Sequence, residues 1–322
     1  MKVLVIGSVK FSCTCSSWWL NTFPHLSSAT GMIGRPIAQA LSRAGHIVYG
    51  QTRSASKAKQ LSAGEIFPVI GDPACPENWI DIVQNIDIVI DAVGGENSAT
   101  IAPSLHKAVS DAAARRPPGT PPLTYIYTSG MWVHGDDRAT IVTDGSPIVS
   151  PLRLVAWRPA VEDVILRSSG AVRGIVIRPG LLYGQGGSLF AALFASAAKG
   201  NIVWPGAPGG RYATVHADDL ADLYVRVVGH AAALGGLVFD ATREHSESVD
   251  LLLLRMAEVS GAERYEYKKP TNLLEEALSA TIIARPTLAR TMLGWESHKP
   301  DLVDGLEMYY AAWKARQGEV AS

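Results

Sequence analysis

Three glycines suggest phosphate chemistry. Gly7 closes the apolar run Val3-Leu4-Val5-Ile6, and Gly31 and Gly34 fall within Ala29-Thr30-Gly31-Met32-Ile33-Gly34. Joined end to end, the two stretches read as a strand, a G-x-x-G-x-x-G turn and an amphipathic helix carrying Ile37, Ala38 and Leu41, which is the entrance to a dinucleotide site. Each glycine has its own duty: Gly7 makes the tight bend, Gly31 lets backbone approach a pyrophosphate, and Gly34 allows helix and strand to pack closely. Thr30, Met32 and Ile33 belong to the same turn, whose N–H groups hold phosphates at a helix N-terminus. About 20 residues further on, where an NAD site carries an acidic residue and an NADP site a basic one, the chain has Arg53, Ser54 and Lys57. These favour NADP(H) over NAD(H); the competing reading of Arg53 is a solvated surface charge. His134 follows a predicted strand end and sits beside Asp136 and Asp137. An imidazole exchanges protons near neutral pH, although a surface histidine without a role fits the same spacing.

The 21 residues from Ser8 to Ser28 interrupt the turn. They are rich in Ser, Cys and Trp and have neither helical nor strand periodicity. Two readings stand: a translated intron, in frame, or a genuine loop at the cofactor mouth with Trp18 and Trp19 as a lid.

The elements that must position these residues alternate between strand and helix. Strands are expected at 2–7, 45–54 (ending in a polar turn), 67–72, 87–95, 123–130 and 175–184, with helices between them. The proline-rich loop Arg115 to Pro122 stops the helix that begins at Ser98. This pattern is α/β, a Rossmann-like doubly wound parallel sheet. Ala92 and its small neighbours at the end of the fourth strand leave room for a cofactor to lie flat. The expected division is a mainly NAD(P)-binding domain over 1–180, with the anomalous insert at 8–28, and a smaller, mainly substrate-binding C-terminal lobe over 181–322. Strands and helices are exchanged between the two. A helix is expected over roughly Leu154 to Leu166.

With the insert set aside, the chain resembles an atypical extended short-chain dehydrogenase/reductase, the group that includes NAD-dependent epimerases and dehydratases. The likeness rests on the glycine turn, Arg178-Pro179-Gly180-Leu181-Leu182-Tyr183-Gly184, Val215-His216-Ala217-Asp218-Asp219-Leu220-Ala221 and Leu293-Gly294-Trp295. It implies that Asp72 touches adenine, that Pro179 and Gly180 pass beside the nicotinamide and that Ser129 orients a substrate carbonyl; for Arg211 two readings stand, a contact to an anionic substrate group or a solvated surface charge. It also implies a tyrosine that transfers the proton and a lysine four residues later. Aligned on Glu162, the chain has Leu154 and Arg158 at those positions. Arg158 can bind ribose or phosphate, but an arginine stays protonated and is a poor proton shuttle. Within Val215 to Ala221, Asp218 or Asp219 is expected to cap a helix and His216 to pack as a buried polar residue.

The formal net charge of −1 supplies no field for nucleic acid, and no run approaches the roughly 18 apolar residues of a membrane span. Three cysteines, Cys13, Cys15 and Cys75, are too few for a disulfide framework and badly spaced for zinc, so no metal is expected. The expected protein is cytoplasmic, a monomer or homodimer, and its partner is a small-molecule substrate. Its expected function is an NAD(P)-dependent oxidoreductase or an epimerase/dehydratase-like enzyme on a small hydroxylated or carbonyl metabolite. The alternative is a non-catalytic NADP(H)-binding sensor or regulator.

Overall fold

The computed structural model describes residues 1–7, 31–95, 97–186 and 189–321. The insert at 8–28 and the cofactor candidate Thr30 lie outside them.

In chain order the first elements are β1 (Lys2–Ile6), α1 (Gly34–Arg43), β2 (Ile47–Thr52), α2 (Ala55–Ala63), β3 (Phe67–Ile70), β4 (Ile88–Asp91), α3 (Ser98–Ala114) and β5 (Leu123–Thr128). They continue with β6 (Ile141–Val142), α4 (Arg158–Leu166), β7 (Val172–Pro179), β8 (Leu181–Tyr183), α5 (Ala191–Ala197), β9 (Ile202–Pro205), β10 (Arg211–Tyr212) and β11 (Thr214–His216). The last are α6 (Ala217–His230), β12 (Val238–Ala241), β13 (Glu247–Ser248), α7 (Val249–Ser260), β14 (Tyr265–Lys268), α8 (Leu273–Ser279), β15 (Ile283–Ala284), α9 (Thr287–Leu293) and α10 (Leu306–Ala321).

Seven strands form one sheet in the order β12-β7-β5-β4-β1-β2-β3, and the pairings from β7 through β3 are all parallel. Helices cover both faces, so strands such as Val3-Leu4-Val5-Ile6 read as continuous apolar runs and are fully buried. The α3 residues Ala102, Leu105, Val109 and Ala112 share a core with Leu4, Ile6, Val89, Tyr125 and Val176. The chain leaves β1 through β2 to the β3 edge, then returns to β4 on the other side of β1. That reversal makes the carboxyl ends of β1 and β4 the topological switch point, where such sheets bind ligands.

Two expected elements come out divided. The strand expected over 175–184 is β7 followed by β8, which leaves the sheet to pair with β11. Gly180 is the break: its N–H donates to the Ala241 carbonyl, and a Cβ there would lie 2.6 Å from the Ala213 carbonyl oxygen. The helix expected from Leu154 is a short 3-10 turn, Arg153–Val155, then α4 from Arg158. Pro159, which lacks an N–H, fits the first turn of a helix and sets that start.

The chain separates into two compact units. The first comprises 1–129, 157–177 and 220–239; the second comprises 130–156, 178–219 and 240–322. Within the second, α5, α7 and α10 gather Phe194, Leu252, Leu253, Met256, Tyr310 and Trp313 into a core. No helix among the described residues is long and apolar enough to cross a membrane.

Candidate functional site

In the first unit, β1 is followed by buried Gly7, and α1 begins at Gly34. Gly31 is also buried, while Met32 and Ile33 are half-buried. Ile33 precedes the helix and its side chain caps no backbone group. In the first turn of α1 the Arg35 N–H donates to the Gly31 carbonyl at 3.1 Å and Pro36 has no N–H, so what the turn offers a pyrophosphate is chiefly the positive end of the helix dipole.

Past β2, Ser54 caps α2 by accepting the Lys57 N–H at 3.5 Å. That turn brings Arg53 and Lys57 together: burial, and then the neighbouring Arg53 charge, hold the Lys57 ammonium below the usual lysine value. Two cations that destabilise one another suit a phosphate between them. Arg53 also reaches Asp72 at 3.8 Å, a half-exposed pair worth little by itself. Asp72 further accepts the Ala74 N–H at 3.0 Å. At the end of β4, the Ala92 N–H donates to the Ile6 carbonyl at 2.7 Å, and a Cβ on Gly94 would meet nothing within 4 Å. The start of α1, the cation pair and the open glycine shelf fit a phosphorylated dinucleotide.

Asp91 ends β4 fully buried, accepting the Val93 N–H at 2.9 Å and the Tyr125 hydroxyl at 2.7 Å. Burial pushes its carboxyl up to about 6.

The candidate reactive residues lie at the end of β5 and on α4. Ser129 follows β5 and is fixed by its N–H to the Ile177 carbonyl at 2.8 Å. Its hydroxyl donates to the Glu162 carboxylate, and the two residues are 7% and 2% exposed. One helical turn before Glu162, the Arg158 guanidinium donates to the Tyr127 hydroxyl at 2.9 Å and to the Thr128 carbonyl at 3.0 Å, and lies 4.8 Å from the Trp157 ring centre. The i, i+4 spacing puts a cation and an anion on one face of α4, against the last residues of β5. Burial pushes the Tyr127 phenol above its ordinary value. The Thr128 hydroxyl is bonded to the Tyr224 hydroxyl at 2.7 Å.

In the second unit, His134 ends a 3-10 turn with its side chain 1% exposed, and its Nε2 lies 3.0 Å from Asp240. Asp136 and Asp137 are not its partners: Asp136 accepts the Thr281 N–H, and Asp137 accepts the Ala139 and Thr140 N–H groups. Arg178 lies 3.7 Å from Asp240, whose N–H donates to Asp144 at 2.6 Å. Pro179 ends β7 and Gly180 makes the break before β8. Arg211 is exposed, with a guanidinium donor on the Ser246 carbonyl at 3.0 Å. Asp219 accepts the His298 and Lys299 N–H groups at 3.1 and 3.2 Å, so it pins the segment after Trp295. His216 is buried and accepts the Asp218 N–H at 3.1 Å. A cleft of about 370 Å³ is lined by Arg243, Arg285 and Arg290 with Thr242, Trp295 and Ser297. Arg290 pairs with Glu244 and Glu296, whereas Arg285 pairs with no acid among the described residues.

Glu162 and Asp91 are the buried, hydrogen-bonded carboxylates at the ends of β5 and β4, yet in the sequence Glu162 served only to set the alignment. The Arg158/Glu162 spacing was the available signal.

A family described as NAD(P)H-binding matches residues 28–146. A curated relative from Arabidopsis thaliana, the epimerase family protein SDR39U1 homolog, chloroplastic, is 25% identical over 234 residues, covering 67% of this chain and 65% of the relative. The chain thus spans just under two thirds of that relative's length. Among solved structures, human epimerase family protein SDR39U1 (isoform 2) with NADPH is 14% identical with a TM-score of 0.71, covering 97% of this chain and 99% of that one. UDP-glucuronic acid 4-epimerase from Bacillus cereus, in complex with UDP-glucuronic acid and NAD, is 16% identical with a TM-score of 0.73, over 98% and 100% of the two chains. At these identities the structural likenesses speak for the fold. The chain thus carries an NAD(P)H-binding family match over residues 28–146, within a fold similar to that of these solved structures.

Proposed function

We propose that the chain binds NADP(H) in preference to NAD(H) and acts as an oxidoreductase or epimerase/dehydratase-like enzyme on a small hydroxylated or carbonyl metabolite. The observation that carries this reading is at the end of β5, where Ser129 stands beside the Arg158 and Glu162 face of α4. Residues 1–180 supply mainly the cofactor domain and 181–322 mainly the substrate lobe. Gly7, Gly31 and the start of α1 hold the pyrophosphate, Arg53 and Lys57 the 2′-phosphate, and Asp72 the adenine side. Ala92 keeps the sheet end flat. Arg158 keeps donors beyond those given to Tyr127 and Thr128, and these hold the ribose. Pro179 and Gly180 border the nicotinamide, which when bound supplies or takes the hydride. Arg211, with Arg285 as a second cationic surface, receives an anionic substrate group.

The names of the relatives, an epimerase-family protein with NADPH and a sugar-nucleotide epimerase with NAD, support this class of chemistry. One observation favours a second reading, an NADP(H)-binding sensor: Leu154, at the tyrosine position, has no proton to give. Fluorescence titration with NADPH tests both readings, while NADPH consumption against aldehydes and ketones tests only the enzyme. His134, held by Asp240, is the second proton-carrying candidate, and a His134→Gln variant with unchanged turnover removes it.

A further inference from the structure

We infer that Glu162 receives the substrate proton through Ser129, in a serine–glutamate relay that takes the place of the absent tyrosine. This inference rests on the enzyme reading above.

A serine hydroxyl has one hydrogen and two acceptor sites. Here the hydrogen is committed to the Glu162 carboxylate, which leaves the Ser129 oxygen free to accept a substrate hydroxyl. In the oxidising direction the substrate carbon–hydrogen bond breaks, and its electron pair leaves as hydride to the oxidised nicotinamide dinucleotide. The substrate O–H proton passes to the Ser129 oxygen as the Ser129 proton passes to Glu162, and the carbon–oxygen double bond forms. Reduction runs the same transfers backwards, from protonated Glu162.

The other groups around the end of β5 in the first unit are committed elsewhere. Tyr125 donates to Asp91, Tyr127 receives Arg158, Thr128 is bonded to Tyr224, and a guanidinium such as that of Arg158 is a poor proton shuttle. Glu162 alone among them is a carboxylate in direct contact with Ser129.

The experiment uses the full chain and its Glu162→Gln, Glu162→Asp, Glu162→Ala and Ser129→Ala variants. NADPH affinity is measured first, and then NADP⁺ reduction across a panel of small primary and secondary alcohols as a function of pH. Expected are NADPH affinities within about threefold of wild type and a fall in turnover of about 10²- to 10⁴-fold for Glu162→Gln, the range of general acid–base catalysis. Glu162→Asp recovers part of the rate, and formate restores Glu162→Ala but not Ser129→Ala. Without cofactor, the carboxyl ¹³C resonance that Glu162→Gln removes from glutamate-labelled protein shifts in Ser129→Ala, where its donor is gone. Wild-type turnover and pH profile in Glu162→Gln overturn the relay alone. A wild-type chain that binds no NADPH, or oxidises no alcohol, overturns the reading on which the relay rests.

Discussion

Asp91 accepts the Tyr125 hydroxyl at 2.7 Å with its carboxylate wholly removed from solvent. Burial pushes that carboxyl up to about 6 from 3.8. A raised carboxylate binds its proton more tightly in the folded state, so its contribution to stability is greatest below pH 4 and is lost as pH rises to about 6. The shift corresponds to about 3 kcal/mol. Denaturant unfolding of wild type and Asp91→Asn at pH 4 to 8 is expected to show wild type losing about that much relative to the variant over this window. A parallel pair of curves would mean that Asp91 titrates normally.

The Arg53 and Lys57 pair makes a prediction about cofactor choice. Arg53→Ala is expected to weaken NADPH binding about tenfold, or about 1.4 kcal/mol, and to leave NADH within about twofold. Fluorescence titration with both cofactors measures it, and equal losses for the two would assign Arg53 to the fold.

Gly174 in β7 lies under α4, where a Cβ would fall 1.9 Å from the Ile165 backbone carbonyl. Backbone cannot give way as a side-chain tip does. Gly174→Ala is expected to cost at least about 2 kcal/mol in chemical unfolding and to loosen the Ser129–Glu162 contact that α4 positions.

Much of the first unit was legible because strands buried on both faces leave uninterrupted apolar runs: β1, β4 and β5 fall where those runs lie. The buried polar pairs of the candidate site were not legible. Ser129 and Glu162 are 33 residues apart, and His134 and Asp240 are 106 apart, distances that only the closed fold joins. Proximity in sequence pointed His134 to Asp136 and Asp137, but a backbone turn uses Asp137 for its own N–H groups. Gly180 was legible as a glycine, though not as the point where β8 leaves the sheet, because the crowding comes from Ala213.

Arg211 is expected to bind the anionic end of the substrate. Arg211→Ala should raise KM at least about tenfold with NADPH affinity unchanged, in steady-state kinetics alongside cofactor titration. An unchanged KM would leave Arg211 as a strand-end contact to Ser246.

The interrupted glycine turn gives a prediction from the sequence alone. Closing a loop of this length costs only on the order of 2 to 3 kcal/mol, so strand and helix still pack. A phosphate cradle needs closer spacing than a core does. A 301-residue chain lacking Ser8 to Ser28 is expected to bind NADPH at least about tenfold more tightly than the 322-residue chain by isothermal titration. Equal or weaker binding would make the insert part of the site.

The most direct test of the account is NADPH consumption by the full chain and its Ser129→Ala variant against one panel of aldehydes and ketones. The account predicts NADPH oxidation by wild type with at least one carbonyl compound, and a fall of at least about 100-fold on removing the serine hydroxyl. Saturable NADPH binding with no oxidation of the cofactor across the panel would contradict it and leave the chain a nucleotide sensor.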